Sequence, residues 1–469
     1  MLALCLARVW PWRSIAGNEM DTVAAARQWA EPGWLPQDWY LNLDIPYRVP
    51  FNALVGPVSA QWGLGGGAAA GRLLSYALLA GAVVALLRAL RINPWLALLP
   101  LAVFLGNQSL GAGEWMVGTA EAKALAYPAV LGSLAAVLAR RPRTAAALAG
   151  AALSWHVLIG LMNLGALVAA VAITRARRRQ RQVTWAQARA LWPLPATGAW
   201  GLWVIWRMLR SGTDQSASAG WDVYVSFRVP HHALPSHWQA APVLTWQVWL
   251  AGAVLTDAVL VWRGPRRWAL VGGFTLAACA LHVFGLVLAA RGDVGLLRYY
   301  WFRLADTWIP LLAALLVAGA LTHLTRRVGR AGVVAAAATA LLVLPAMNST
   351  RVSADLATQK LSSSSRGKTM QWVAHRLPED AVVATDPNEH LWYPLADRAA
   401  WALYKSSPQS GADVLAWSRR LEMRAMSPSA RRPPRVSSPW DSAVWTRPDW
   451  RNCAPAGPPT TSLVARGSR

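Results

Sequence analysis

Four short polar segments hold most of the side chains able to do chemistry. The first reads GNEMDTVAAARQWAEPGWLPQDWYLNLDIPYRVP. Glu19 and Asp21 stand there at the entrance of a helix expected over about Asp21 to Ala30, with Asp21 or Asn18 as its cap. Asp38 and Asp44 follow in irregular chain. Such carboxylates can cap a helix or face water. Beside a partly dry cavity, one can instead take a proton from an attacking hydroxyl or hold a divalent cation. The second segment, GAGEWMVGTAEAKALAYP, brings Glu114, Glu121 and Lys123 to a helix start, where charges at a membrane edge are costly unless paired or in use. Glu121 and Lys123 are two positions apart and share no helix face, which argues against a helical ion pair.

The third segment, VYVSFRVPHHALPSHW, clusters Arg228, His231 and His232. Adjacent histidines on a regular helix cannot face one metal, and no further ligand stands at metal spacing, so phosphate contact or interfacial packing is expected. The fourth, LLRYYWFRLADTWIP, sets Arg298, Arg303 and Asp306 among five aromatics. Guanidinium forks suit phosphate oxygens. The aromatics suit a prenyl chain, a sugar ring or a membrane belt. His156 reads as a satisfied polar core residue, and Asp257 as a partner for Arg263 or Arg266.

The elements that must position these groups are apolar. The chain has 469 residues, 55% hydrophobic and 14% charged, against about 25% charged in an ordinary soluble domain. Runs at about 68–88, 94–107, 124–139, 145–174, 190–207, 241–262, 268–290, 307–325 and 331–346 read as membrane helices. The net charge of +24 comes from arginines in short segments between these runs. That pattern sets orientation in a bilayer and argues against a nucleic-acid partner. Arg88 and Arg91, Arg140–Arg143, Arg175–Arg181, Arg263–Arg267 and Arg326–Arg330 all fall on the cytoplasmic side only if 145–174 enters the bilayer and returns as two short segments. The four chemical segments and everything after 347 then lie outside. Trp238, Trp268 and Trp308 stand at run ends, as belt residues do. The three cysteines, Cys5, Cys279 and Cys453, form no disulfide framework.

After 347 the pattern becomes that of a soluble module. GKTMQWVAHRLPED is expected as a helix ending at Pro378, AVVAT as a buried strand, ADRAAWALY as a strand or short helix, and GADVLAWSRRLEM as an amphipathic helix. The expected architecture is an all-α polytopic bundle of about 10–12 helices over 1–346, with 13–66 as a long first outer loop. A small α/β extracytoplasmic domain follows at 347–423, then a disordered Pro/Ser/Arg-rich tail at 424–469. Residues 1–12 are too short to span and are expected to be a first helix cut short. The tail is what a frameshift after Met423 would produce.

The order of these pieces resembles the GT-C superfamily of membrane glycosyltransferases. More closely, the chain resembles a bacterial family of GT-C-like multi-pass membrane proteins with a C-terminal extracytoplasmic domain of unknown function. The resemblance runs over 13–423 and is carried by GNEMDTVAAARQWAEPGWLPQDWY, GTAEAKALAYP, FRVPHHALP, RYYWFRLADTWIP, WVAHRLPEDAVVATDP and ADRAAWALYKSSPQSGADVLAWSRRLE. It implies transfer of a sugar from a polyprenyl-phosphate carrier to an extracytoplasmic acceptor, in an inner or plasma membrane. Asp21 or Glu19 would be the base and Asp38 the next choice. Arg298 and Arg303 would hold the carrier phosphate, Glu121 and Lys123 would line the cavity, and Arg228, His231 and His232 would contact substrate. A transporter or lipid flippase would be expected to carry repeated halves and midplane charges, which this sequence lacks. A non-catalytic envelope scaffold is the other alternative.

Overall fold

The computed structural model describes residues 1–8, 15, 17–106, 108, 111–177, 179, 184–210, 215–238, 240–328, 362–389 and 391–425. The expected helix at 331–346, the expected tail, the Asp257 side chain and Cys453 lie outside the described residues. Helices dominate: α1 Leu2–Arg8, α2 Glu19–Ala30, α3 Val49–Leu90, α4 Leu98–Gly106, α5 Ala122–Leu138, α6 Pro142–Trp155, α7 Val157–Arg177, α8 Trp185–Arg189, α9 Pro193–Arg210 and α10 Gln215–Val223. A π-turn over Tyr224–Arg228 leads to α11 Pro230–Ala233, α12 Ala240–Arg263, α13 Arg266–Arg291, α14 Val294–Leu297 and α15 Arg303–Val328. Four helices among the described residues are long and apolar enough to cross a membrane: Pro46–Leu90, Val157–Arg177, Arg266–Arg291 and Arg303–Thr325. Each exposes large apolar side chains, such as Leu78, Val168, Val283 and Val317, as lipid-facing helices do.

Helix α3 corrects the expected loop. Its 42 residues begin at Val49, inside the stretch read as irregular. At about 1.5 Å per residue it would be twice a bilayer's thickness, and it bends at Gly63, whose φ of 74° and ψ of 173° leave the helix. The first leg lies against α2, so closely that a side chain at Gly56 would meet the Ala26 carbonyl at 2.3 Å. The 145–174 run does fold as two segments, but the second is 21 residues long and apolar enough to cross a membrane, not short as expected. The chain breaks at His156, and α7 returns along α6 with Gly160 against the backbone of Leu153.

The arginine-bearing ends gather together. Arg177 donates to the Gly264 carbonyl at 3.0 Å, Asn93 N–H donates to Thr322 at 3.0 Å, and Gly319 packs on Trp268 and Ile92. The opposite ends of α3, α5, α13 and α15 carry the polar segments. Between them lies one large apolar core containing Tyr76, Tyr127, Phe274 and Trp308. Trp308, expected in a membrane belt, is fully buried and donates to Thr275 at 2.8 Å.

Beyond residue 361 come α16 Ser365–Arg376, β1 Val382–Val383, α17 Trp392–Ala396, β2 Ala399–Ala400 and α18 Gly411–Ala425. The strands pair in parallel, Val382 with Ala399 and Val383 with Ala400. The expected buried strand is therefore two residues long and half exposed. Residues Met1–Leu421 pack as one unit.

Candidate functional site

The four polar segments meet at the ends of α2, α5 and α15. Helix α2 begins at Glu19, earlier than expected, and Asn18 does not cap it with its side chain. That side chain instead donates to Glu121 at 3.0 Å and accepts from Lys405 at 3.4 Å. Thr22, a turn further on, donates to the Ala120 carbonyl at 3.1 Å and pins the helix to the second segment.

Glu19 is fully buried. Both its oxygens face Arg72 of α3, and one also accepts from the Ala120 N–H at 2.6 Å. It joins three pieces of chain and has no room for a substrate proton. Asp38 is engaged just as fully. It accepts from Leu41 N–H at 3.0 Å, from Tyr393 at 3.0 Å and from Ala400 N–H at 2.9 Å, which ties the first segment to the C-terminal domain. Trp34 reinforces that seam by donating to Asp397 at 2.8 Å.

Asp21 differs from both. One oxygen accepts from Tyr40 at 3.0 Å and lies 3.5 Å from Arg48, while the other is enclosed without a hydrogen-bond partner. Burial pushes its pKa up, opposed by Arg48 and the Tyr40 hydrogen bond. An aspartate held ready to accept a proton is what a general base requires.

The second and fourth segments lock around Glu114. Lys123 lies 3.0 Å from one of its oxygens, and Arg303 lies 2.7 Å from the other in a charge contact without hydrogen-bond alignment. Burial raises the Glu114 pKa, but Arg303 and Lys123 outweigh it and the net direction is down. Asp306 accepts from the backbone N–H groups of Gly111 and Glu114 at 2.9 and 2.8 Å, fixing that loop to α15. Arg303 also reaches His156 at 3.2 Å and stacks 4.3 Å from the Tyr300 ring. His156, read as a core residue, thus joins the site at the α6–α7 break. Glu121 and Lys123 do approach, at 3.9 Å, because Glu121 precedes α5 in extended backbone and the helix-face argument does not reach it.

Of the arginines in the four polar segments, Arg228 and Arg298 have no carboxylate within ion-pair distance among the described residues. Arg298 stacks 4.1 Å from Trp221 and 4.8 Å from Tyr299, donates to Tyr299 at 2.7 Å, and keeps an enclosed Nε without a hydrogen-bond partner. Arg228 ends the π-turn and contacts Ser407 at 3.1 Å and the Lys405 carbonyl at 3.4 Å. The histidines beside it are not cations near neutral pH. Burial and then Arg228 push His231 down to about 4, and burial and then His231 push His232 well down. His232 contacts the Ala112 carbonyl at 2.5 Å. Among the described residues no group of three or more His, Cys, Asp or Glu is arranged to hold a metal ion.

Sequence reasoning missed Arg48, Arg72, Tyr40 and Lys405. Arg72 had a signal, a lone arginine within an apolar run, which calls for a buried acid. Lys405, between Tyr404 and two serines, had none.

No curated protein and no solved structure matches the chain. Residues 365–424, from the start of α16 to the penultimate residue of α18, match the family described as Domain of unknown function (DUF6798).

Proposed function

We propose that this protein is a membrane glycosyltransferase-like enzyme that moves a sugar from a polyprenyl-phosphate carrier to an extracytoplasmic acceptor. The observation that carries this reading is Asp21, a buried carboxylate with one uncommitted oxygen beside cations that lack carboxylate partners. In this scheme Asp21 takes the proton of the acceptor hydroxyl as that oxygen attacks the anomeric carbon. The bond from that carbon to the carrier phosphate breaks, and its electron pair leaves on the phosphate. Arg298, against the Trp221 and Tyr299 rings, suits that phosphate and the adjoining prenyl chain. Arg303 is committed to Glu114 and His156 and acts as a positioning residue, with Lys123 and Glu121 shaping the wall. The arginine-bearing end faces the cytoplasm of an inner or plasma membrane, and the site with its C-terminal domain faces outside. The resemblance of the order of its pieces to GT-C enzymes supports the same assignment.

The test is transfer of labelled sugar from a polyprenyl phosphate in purified membranes. Asp21→Asn is expected to lower the rate by at least about 100-fold, the usual contribution of a general base. Asp44→Asn, which removes only an exposed ion pair with Arg207, is expected to keep it. Full transfer by a variant lacking Glu19, Asp21 and Asp38 together would end the proposal.

A further inference from the structure

The C-terminal domain does more than rest on the bundle. Its contact with the Tyr224–Arg228 turn is tight at both backbone and side-chain level. Gly220 lies against Gly411 so closely that a side chain there would meet the Gly411 carbonyl at 1.8 Å. Tyr404 donates to the carbonyls of Phe227 and Arg228 at 3.0 and 3.3 Å. Trp417, fully buried, donates to the Leu403 carbonyl at 2.9 Å and packs on Phe227. These contacts fix where residues 404–407 stand.

What they fix is a pair of like charges. Arg228 is held to the Lys405 carbonyl and to Ser407, with the Tyr404 ring 5.1 Å from its guanidinium. Lys405 points to Asn18, whose side-chain oxygen is 3.4 Å away. Neither cation has a carboxylate within ion-pair distance among the described residues. Neither nearby acid comes within ion-pair distance of them: Asp21 lies 3.5 Å from Arg48, and Glu121 accepts from Asn18 and Thr119. Burial and then Arg228 push the Lys405 ammonium down, opposed by the more distant Asp21 and Glu121. A folded protein gains nothing from such crowding unless an anion completes it.

We propose that the domain over 365–424 completes the site, by setting Lys405 beside Arg228 as a two-cation seat for a phosphate group. The guanidinium edge left over from its bonds to Ser407 and the Lys405 carbonyl takes one phosphate oxygen and the ammonium another. The seat itself stands on the geometry of the seam. It rests on the proposed transfer only for which molecule owns the phosphate: a prenyl phosphate, or soluble phosphate if the carrier reading fails.

The experiment measures binding by the purified full-length protein at low salt, with farnesyl phosphate, farnesol and inorganic phosphate as probes. Lys405→Gln and Arg228→Gln are each expected to weaken farnesyl phosphate about tenfold or more, the value of a lost charge-assisted contact. Lys405→Arg retains binding, and farnesol is indifferent to all three changes. A prenyl chain that adds affinity assigns the seat to a lipid carrier; equal binding of inorganic phosphate assigns it to a soluble one, and both outcomes support the seat. In the unaltered protein, farnesyl phosphate or phosphate also slows acetylation of Lys405, read by mass spectrometry, which needs no variant to fold. Unprotected Lys405, or binding of both anions unchanged in Lys405→Gln, overturns the proposal. Sugar transfer and anion binding that both persist in Lys405→Gln sink the seat and spare the enzyme. Phosphate binding without any transfer does the reverse.

Discussion

Glu19, Asp21 and Asp38 lie within 20 residues of one another, and the fold gives them three different tasks. Glu19 neutralises Arg72, a buried pair whose loss on one side costs about 3–5 kcal/mol. Asp38 accepts hydrogen bonds across the seam with the C-terminal domain. Only Asp21 keeps an oxygen in reserve. The residue types were legible in the sequence, but the tasks were not, because each partner comes from far along the chain: Arg72 is 53 positions from Glu19, and Ala400 is 362 from Asp38. Asp21 also has a measurable consequence. Its carboxyl holds a proton more tightly in the folded than in the unfolded chain. Stability from this group is therefore present at low pH and lost as pH rises from the ordinary aspartate value, about 4, through the raised one. Thermal unfolding in detergent should show the wild-type Tm falling relative to Asp21→Asn across that window. A constant difference between the two proteins from pH 4 to 8 would refute the shift.

At the scale of elements, periodicity and length were enough for α7, α12, α13 and α15, whose apolar runs are unbroken by proline clusters. They were not enough for α3, because Pro50, Pro57 and Gly63 interrupt its first leg and make it read as loop. The return at His156 was legible from charge alone, since the arginines flanking 145–174 demand one side. The closeness of that return rests on Gly160. A Cβ there would sit 2.3 Å from Leu153 Cα, so Gly160→Val must force α6 and α7 apart and draw His156 off Arg303. The expected outcome is a loss of about 1–3 kcal/mol, read as a lower Tm. Gly165→Ala in the same helix, where nothing lies within 4 Å, is expected to leave Tm unchanged or slightly raised.

At the scale of the whole molecule, several arginine-bearing helix ends meet, Arg177 at Gly264 and Asn93 at Thr322, and the sidedness that the arginine pattern implies is a proposal. The sequence did not indicate that the C-terminal domain would close over the first segment. Its seam is built from single hydrogen bonds and aromatic edges that no periodicity marks, such as Trp34 with Asp397 and Trp34 edge-on to Tyr393. The proposed orientation is open to chemical labelling. Cysteines placed at Gly33, after α2, and at Arg143, at the start of α6, would both be exposed. In intact cells a membrane-impermeant maleimide applied outside should modify Gly33→Cys and spare Arg143→Cys. Equal modification of the two would remove the sidedness on which the extracytoplasmic site depends.

The contact between Asn18 and Lys405 spans 387 residues of chain. Ribosomes add about 5–20 residues per second, so roughly 20–80 seconds of synthesis separate the two ends of that contact. During that interval Asp21 is already in the chain, while the Lys405 half of the proposed seat is still missing. On the proposed reading, the phosphate seat is complete only when the last helices have been made.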